Sequence, residues 1–234
     1  MFTNSIEQML AVFAMYFYLK MKAGVFDRNV VMLTATITTS FMMRNTSPIG
    51  WVPLLALKVL FERALGPFLL AFLLVSLPIM ATAVYLDSVY YTGVHADLSP
   101  KEWVFTSWNF ILRNVLENKS EFFGTSSWAS YIENLMGQMT TLLWPFGYYS
   151  MLYGHWRKQL GKGRAPYIAI YCIFTMFVLS LIPHKEDRFL VPIFPFMFIM
   201  TGESFASACR SSSAERRPSR FTSKASKRRG SEAL

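Results

Sequence analysis

The sequence predicts an all-α polytopic membrane protein, and its composition is the first observation that supports this fold class. Apolar residues make up 53% of the 234 residues and charged residues only 16%, and the mean hydropathy is +0.31. An ordinary soluble domain carries about 25% charged residues. The second observation is that long apolar runs alternate with short charged segments, which is typical of helices that cross a bilayer repeatedly.

About seven apolar segments are predicted to form the helices. Only the fourth and fifth comfortably reach the roughly 20 residues that a spanning helix needs. The first three are short, so re-entrant or interfacial helices are alternatives to full spans. In order, the segments are Glu7–Leu19, Val30–Met43, Ile49–Leu60, Ala64–Leu86, Tyr131–Tyr153, Tyr167–Pro183 and Phe189–Ala206.

The chain divides into two parts by composition. Residues 1–207 contain the apolar segments and are predicted to form a transmembrane domain. Residues 208–234 are predicted to form a basic, disordered cytosolic tail, because they are rich in Arg, Lys and Ser and poor in apolar residues. Most of the net charge of +9 lies in this tail, so the charge does not indicate a nucleic-acid-binding domain.

The basic residues also predict the orientation. Residues 155–164, between the fifth and sixth segments, contain four basic residues and no acid, so this loop should be cytosolic. Counting alternately along the chain then makes residues 87–130 a large luminal loop and residues 184–188 a luminal turn. The sequon at Asn118 becomes a possible glycosylation site in this arrangement.

The luminal turn contains five consecutive charged or titratable residues, His184 to Arg188. One interpretation is a solvated turn between two spans, where charges are usual. The other is a site for an anionic lipid phosphate at the bilayer edge, because positive side chains form strong charge-assisted hydrogen bonds with phosphate oxygens.

The predicted luminal loop is crowded with aromatic rings, which could anchor it at the membrane interface or pack on sugars. The candidate sugar- and acceptor-binding residues are Asn109, Asn114, Gly124, Thr125 and Trp128. Asp87, at the start of the loop, is interpreted as a helix cap or an arginine partner rather than a catalytic acid.

Other chemistries have no support in the sequence. It has no Gly-rich phosphate loop, no CxxC pair and no GxSxG motif, and its histidines lack metal-ligand spacing. We therefore expect no metal and no cofactor. The spans show no paired intramembrane charges of the kind that indicates a channel or transporter.

Several segments resemble the motifs of an endoplasmic-reticulum (ER) mannosyltransferase family, glycosyltransferase family 22. His184-Lys185-Glu186-x-Arg188-Phe189, followed by Pro192 and Pro195, resembles its HKExRF signature. Four further segments resemble family motifs, and together they extend from Thr3 to Gly202. They are Thr3–Glu7; Arg44–Ser47 with Trp51 and Pro53–Leu55; Asp87–Tyr91; and Asn109-Phe110 with Asn114, Gly124-Thr125 and Trp128. Asn45 replaces the family's Pro, and Ser126-Ser127 replaces its His-Pro.

The resemblance implies a partial GT-C-type multi-helix bundle in the ER membrane. It implies mannose transfer from dolichyl-phosphate mannose to a lipid-linked glycan, with membrane lipid, donor and acceptor as the partners and no nucleic acid. His184, Lys185, Glu186 and Arg188 would then bind the donor phosphate.

The motifs are most similar to those of the enzymes that add the third mannose of the glycosylphosphatidylinositol (GPI) anchor precursor, in α-1,2 linkage. The α-1,2- and α-1,6-mannosyltransferases of dolichol-linked oligosaccharide synthesis are alternatives, as is a non-catalytic truncated membrane protein. Family members have an acidic first luminal loop that supplies the catalytic base. We find no counterpart of that loop, so the chain is expected to correspond to the C-terminal portion, and no catalytic residue is assigned.

Overall fold

The computed structural model describes residues 2–93, 103–113, 117, 124–131, 133, 165–182 and 185–215, and the regular elements in these ranges are all helical. This confirms the all-α prediction. The helices are α1 (Phe2–Lys20), α2 (Arg28–Met43), α3 (Trp51–Glu62), α4 (Leu65–Thr92), α5 (Thr106–Ile111), α6 (Ala165–Leu181) and α7 (Phe194–Glu215), with a 3₁₀ helix, Asp187–Ile193, directly before α7.

The local sequence explains where the first helices begin and end. Asp27 caps α2, because its carboxylate accepts the Val30 N–H at 3.0 Å and the Asn29 side-chain amide at 2.8 Å. At the other end of α2, the Arg44 N–H donates to the Ser40 carbonyl at 2.8 Å. Arg63 ends α3 in the left-handed conformation, with φ of 53°.

The successive helices α1, α2 and α3 run in opposite directions, so the described bundle has two ends. The Lys58 end contains the turn after α1 and the end of α3, since a Cβ on Gly24 would lie 3.5 Å from the Glu62 carbonyl oxygen. The start of α6 is also there, because the Tyr167 and Tyr18 rings lie 5.5 Å apart. The Arg44 end contains the start of α1, the end of α2 and the 3₁₀ helix, which Arg44 joins.

The core lies between α1, α3, α6 and the start of α7 and is dominated by aromatic rings. Trp51, which is 1% exposed, packs on the Tyr171 ring at 5.0 Å, and Tyr171 packs on Phe196 at 5.1 Å. Gly50 permits this close packing. A Cβ at Gly50 would lie only 2.5 Å from the Tyr171 ring, so a larger residue would push α3 away from α6.

Helix α4 differs from the others because it lies mostly at the surface. In the described part of the chain, α4 is the one helix that is long and apolar enough to cross a membrane, and only 11% of its most apolar window is buried. A π-helical turn, Phe72–Ser76, interrupts it. The Ser76 hydroxyl in this turn lies 2.7 Å from that of Thr38 on α2, which fixes α4 against the bundle.

The predicted segments agree with the helices to within a few residues for α1, α2, α3 and α6, and α4 continues past its prediction to Thr92. Asp87 is therefore half-buried within α4 rather than at its end. The last segment, predicted to start as a helix at Phe189, begins with a 3₁₀ helix, since Pro192 has no N–H to donate. Nearly all of the fifth segment, Tyr131–Tyr153, lies outside the described residues, as does the chain beyond Glu215.

Candidate functional site

The candidate site begins at the turn between α6 and the 3₁₀ helix, where Lys185 is fixed by two carbonyl oxygens. Its ammonium group donates to the carbonyl of Ile182 at 2.9 Å and to the carbonyl of Ser126 at 3.2 Å. Ile182 directly follows α6. Partial desolvation lowers the pKa of Lys185 below its usual value. Lys185 therefore joins the turn to the segment that contains Gly124 and Thr125.

Glu186 and Arg188 form an ion pair on the same turn. The Arg188 Nη2 atom donates to Glu186 Oε1 at 2.8 Å, and Nε also contacts the carboxylate. The Arg188 side chain stays 60% exposed. Glu186 thus holds the guanidinium in place while leaving much of it accessible to a ligand.

Tyr131 makes a second connection between this turn and the predicted luminal loop. Its hydroxyl accepts the Glu186 N–H at 3.2 Å, and the residue is fully buried. With the Lys185–Ser126 contact, this fixes both ends of a short loop segment. Gly124 starts the segment with φ of +101°, a conformation that favours glycine.

Arg44, at the end of α2, connects the turn to α1. One of its terminal nitrogens, Nη1, donates to Glu7 at 2.7 Å, to Asn4 Oδ1 at 2.8 Å and to the Arg188 carbonyl at 3.2 Å. The guanidinium lies 4.9 Å from the centre of the Phe189 ring. A cation at this distance from an aromatic face is attracted to it.

Ser88 holds the far side of the predicted loop, next to Asp87. Ser88 is buried, donates to the Val84 carbonyl at 2.7 Å and accepts the Val104 N–H at 2.8 Å, so it fixes the chain where it returns towards α5. The interpretation of Asp87 as a helix cap does not hold, because α4 continues to Thr92.

The structure brings together some of the predicted site residues. Lys185, Glu186 and Arg188 share one turn, and Gly124 and Thr125 precede the Ser126 carbonyl that this turn contacts. Trp128 is 71% exposed on the same loop segment. Asn109 is exposed on α5. Three predicted residues lie outside the described residues: His184, Asn114 and Asn118.

Arg44, Glu7 and Tyr131 also belong to this site, and none of them was predicted as a site residue. Arg44 and Glu7 were quoted only as parts of motifs, and their distance from the turn in sequence gave no sign of contact. The available signal was a charged residue in one apolar helix, Glu7, and another directly after the next, Arg44, because such residues usually pair. Their pairing corrects the expectation that the apolar segments contain no paired charges. Tyr131 was counted only among the aromatic residues.

The turn presents two positive groups, one of which, Arg188, is paired with Glu186. Arg188 offers an exposed guanidinium, and Lys185 contributes a second positive charge on the same turn. Phosphate oxygens accept strong charge-assisted hydrogen bonds from both groups. In the part of the chain that the structure describes, no three His, Cys, Asp or Glu residues are close enough together to hold a metal ion.

The sequence matches the profile of the Alg9-like mannosyltransferase family over residues 1–228. It is 24% identical over 209 residues to a Xenopus laevis protein named GPI alpha-1,2-mannosyltransferase 3, covering 89% of this chain and 36% of that protein. The human protein of that name is 27% identical over 203 residues, covering 86% and 33%. GPI mannosyltransferase 3 of Candida albicans is 28% identical over 205 residues, covering 87% and 38%.

The chain therefore spans about a third of the length of these curated relatives. No solved structure matches it. The family profile covers nearly the whole chain, and segments that resemble family motifs meet at the Arg44 end of the bundle. The chain belongs to the Alg9-like mannosyltransferase family.

Proposed function

We propose that the protein containing this chain transfers mannose from dolichyl-phosphate mannose to the GPI-anchor precursor, adding its third mannose in α-1,2 linkage. The observation that carries the proposal is that segments far apart in sequence meet at a turn with accessible positive charge. Arg44 contacts the turn from 144 residues away, and Lys185 contacts the loop segment from 59 residues away. The names of the relatives favour GPI synthesis over dolichol-linked oligosaccharide synthesis.

The turn would act on the leaving group. When the acceptor hydroxyl attacks the anomeric carbon of the donor mannose, the bond from that carbon to the phosphate oxygen breaks. Dolichyl phosphate then carries one more negative charge than it did in the donor. Lys185 and Arg188 would stabilise this charge as it develops, together with His184, while Glu186 holds Arg188 in position. No metal is needed in this scheme, and we assign no residue as the base that takes the acceptor proton.

The loop segment beside the turn would bind the sugars. Trp128 presents an exposed ring, and aromatic faces pack on the apolar faces of sugars. Thr125 and Asn109 are exposed polar residues that could bond sugar hydroxyls, with Asn114 as a further candidate. Gly124 permits the backbone conformation that brings Ser126 to Lys185.

We also propose that the protein spans the ER membrane several times, with the Arg44 end in the lumen. Large apolar side chains of α4 are more exposed than is usual for a protein in water; Leu73 is 57% exposed and Leu74 is 60% exposed. In a membrane, lipid acyl chains would cover them. The Lys58 end carries the basic residues Lys20, Lys22, Arg28 and Arg63, which belong on the cytosolic side. Asn118 would then be luminal and open to glycosylation.

The test uses the full-length protein in microsomes from cells that lack the enzyme for the third GPI mannose. Arg188→Ala and Lys185→Met should each lower transfer from labelled dolichyl-phosphate mannose by on the order of a hundredfold, as expected for a lost transition-state donor. The matched control is Arg113→Ala, which removes an exposed arginine paired with Glu117 at 3.1 Å. It should transfer normally.

Near-normal transfer by both turn variants would show that the turn does not bind the donor phosphate. Carbonate extraction of the membranes confirms that each variant is inserted. If the chain Met1–Leu234, expressed as it stands, inserts into the membrane but never transfers mannose, the non-catalytic alternative is correct for it. Transfer to dolichol-linked oligosaccharide instead of the GPI precursor would identify the other acceptor class.

A further inference from the structure

Arg44 connects three elements through contacts that have no role in the proposed chemistry. Arg44 lies at the end of α2, Glu7 belongs to α1, and Arg188 belongs to the 3₁₀ helix. The partner residues are 37 and 144 positions away in the sequence. The contact with Arg188 therefore forms only when α1, α2 and the 3₁₀ helix have come together.

Both charges of the Arg44–Glu7 pair are withdrawn from solvent. The side chain of Arg44 is 13% exposed and that of Glu7 is 3% exposed. A buried ion pair is weak evidence for stabilisation, because the desolvation of both charges opposes their attraction. A hydrophobic pair would hold α1 and α2 together equally well, so the charged pair points to a second role.

A further contact of the same Arg44 nitrogen, Nη1, indicates this second role. Nη1 has only two hydrogens, and its short hydrogen bonds go to Glu7 and Asn4. The hydrogen bond to the Arg188 carbonyl is longer, at 3.2 Å, and shares one of these hydrogens. The guanidinium also stacks near the Phe189 ring at 4.9 Å. The contacts to α1 fix Arg44, and Arg44 in turn holds the backbone and the neighbouring ring of the turn.

We propose that Arg44 is a positioning residue that sets where Arg188 presents its side chain. The inference rests on the proposed function for its effect on transfer. Arg44 meets the Arg188 backbone, whereas the Arg188 side chain points away to Glu186 and remains 60% exposed. Glu7 and Asn4 serve to orient Arg44. Displacing the turn by even about 1 Å would misplace the cation relative to the phosphate, which can cost up to about a hundredfold in rate.

Lysine cannot replace Arg44 in this role. The three acceptors converge on Nη1, and the shorter side chain of lysine does not carry its ammonium to that position. An ammonium also has no planar group to lie against the Phe189 ring. Arg44→Lys should therefore keep the charge pair with Glu7 but lose the joint contact with Arg188 and Phe189. This separates the pairing of the charges from the positioning of the turn.

The experiment compares three variants of the full-length protein with one control variant. Arg44→Met leaves Glu7 buried without its partner, so stability and transfer should both fall. The double variant Glu7→Gln with Arg44→Met contains no unpaired buried charge, so its thermal unfolding midpoint in detergent should return towards that of the wild type. Its kcat should still be lower by on the order of tenfold. Arg44→Lys should likewise be stable and slow, whereas Arg113→Ala, which changes an exposed arginine away from the Arg44 contacts, should be close to normal in both measurements.

A second measurement does not depend on transfer. Hydrogen–deuterium exchange of the peptide covering residues 185–193 should speed up in the double variant and in Arg44→Lys if Arg44 holds the turn. Unchanged exchange there would overturn the inference, whatever the reaction is. Recovery of transfer along with stability in the double variant would also overturn it.

The two proposals fail differently. If Arg188→Ala and Lys185→Met transfer mannose normally, the phosphate role is wrong, and the exchange measurement alone decides the role of Arg44. If those variants lose transfer but the stable Arg44 variants do not, only the positioning inference is wrong. If the double variant does not fold, the Arg44→Lys variant alone tests whether Arg44 positions the turn.

Discussion

The two ends of the described bundle each contain a buried ion pair, but the pairs differ in what they connect. At the Lys58 end, Lys58 contacts Glu62 at 2.8 Å, one turn along the same helix, and lies 5.1 Å from the Tyr18 ring. At the Arg44 end, Arg44 contacts Glu7 at 2.7 Å on another helix and then reaches the Arg188 backbone. One pair is local, and the other exists only in the assembled fold.

The difference shows that burial of a cation does not by itself indicate a functional site. Lys58 is as buried as Arg44, yet its partner Glu62 is 28% exposed and can turn towards solvent. Glu7, at 3%, cannot. What distinguishes the Arg44 end is that residues distant in sequence meet there at a turn whose own cation is left accessible.

The largest expected effect concerns the sides of the membrane on which the two ends lie. In sealed microsomes, protease should digest the tail, Arg210–Leu234, and spare Trp103–Glu121, because the Lys58 end is predicted to be cytosolic by its basic residues. Epitope tags at the two sites would report the result by immunoblot. A protected tail or a cleaved loop would reverse the orientation and remove the luminal assignment of the turn.

The next prediction contrasts the two ion pairs directly. Arg44→Met should lower the free energy of unfolding by about 3–5 kcal/mol, because it leaves the Glu7 carboxylate buried without a partner. Lys58→Met should cost about 1 kcal/mol, since a pair within one helix and a ring contact are worth little. Denaturation in detergent micelles measures both. Equal losses would mean that the two pairs are equivalent.

Glycine substitutions test the packing at the two ends. Gly50→Ala should destabilise the fold by about 1–3 kcal/mol, because the new Cβ would overlap the Tyr171 ring. Gly66→Ala, near the start of α4, meets nothing within 4 Å and should stabilise the fold by about 0.5–1 kcal/mol through its lower chain entropy. Thermal unfolding of the two variants should therefore shift in opposite directions. A neutral Gly50→Ala would show that α3 and α6 can separate without cost.

The smallest effect is expected for Tyr131→Phe. The change removes the hydroxyl that accepts the Glu186 N–H at 3.2 Å and keeps the buried ring. One lost hydrogen bond costs about 0.5–1.5 kcal/mol. We expect this loss of stability with a modest decrease in transfer, measured in the same microsomal assay. A severe loss of transfer with unchanged stability would instead place the Tyr131 hydroxyl in contact with substrate.

Much of the fold could be predicted because it is encoded locally. The apolar runs located α1, α2, α3, α4 and α6. The 3₁₀ helix was not predicted because it lies in an apolar run that reads as one continuous α-helix. The structure departs from an α-helix there because Pro192 has no N–H to donate. The extension of α4 past Asp87 was missed because polar residues near a helix end look like the start of a loop.

The candidate site was only half predictable for a related reason. Lys185, Glu186 and Arg188 are adjacent in sequence, so their charge density alone drew attention to the turn. Arg44, Glu7 and Tyr131 lie in other elements, and no periodicity indicates that they reach it. The motif resemblance gathered the segments into one family but gave no distances between them.

The sequence by itself determined the helical class, the apolar segments and the charged turn, because propensity, hydropathy and charge are properties of neighbouring residues. The tertiary structure alone decided that Arg44 meets Glu7 and the Arg188 carbonyl, and that Lys185 meets Ser126. The Arg44 contacts arise because α1 packs against both α2 and the 3₁₀ helix. Packing joins residues up to 144 positions apart, which no local pattern of the chain can encode.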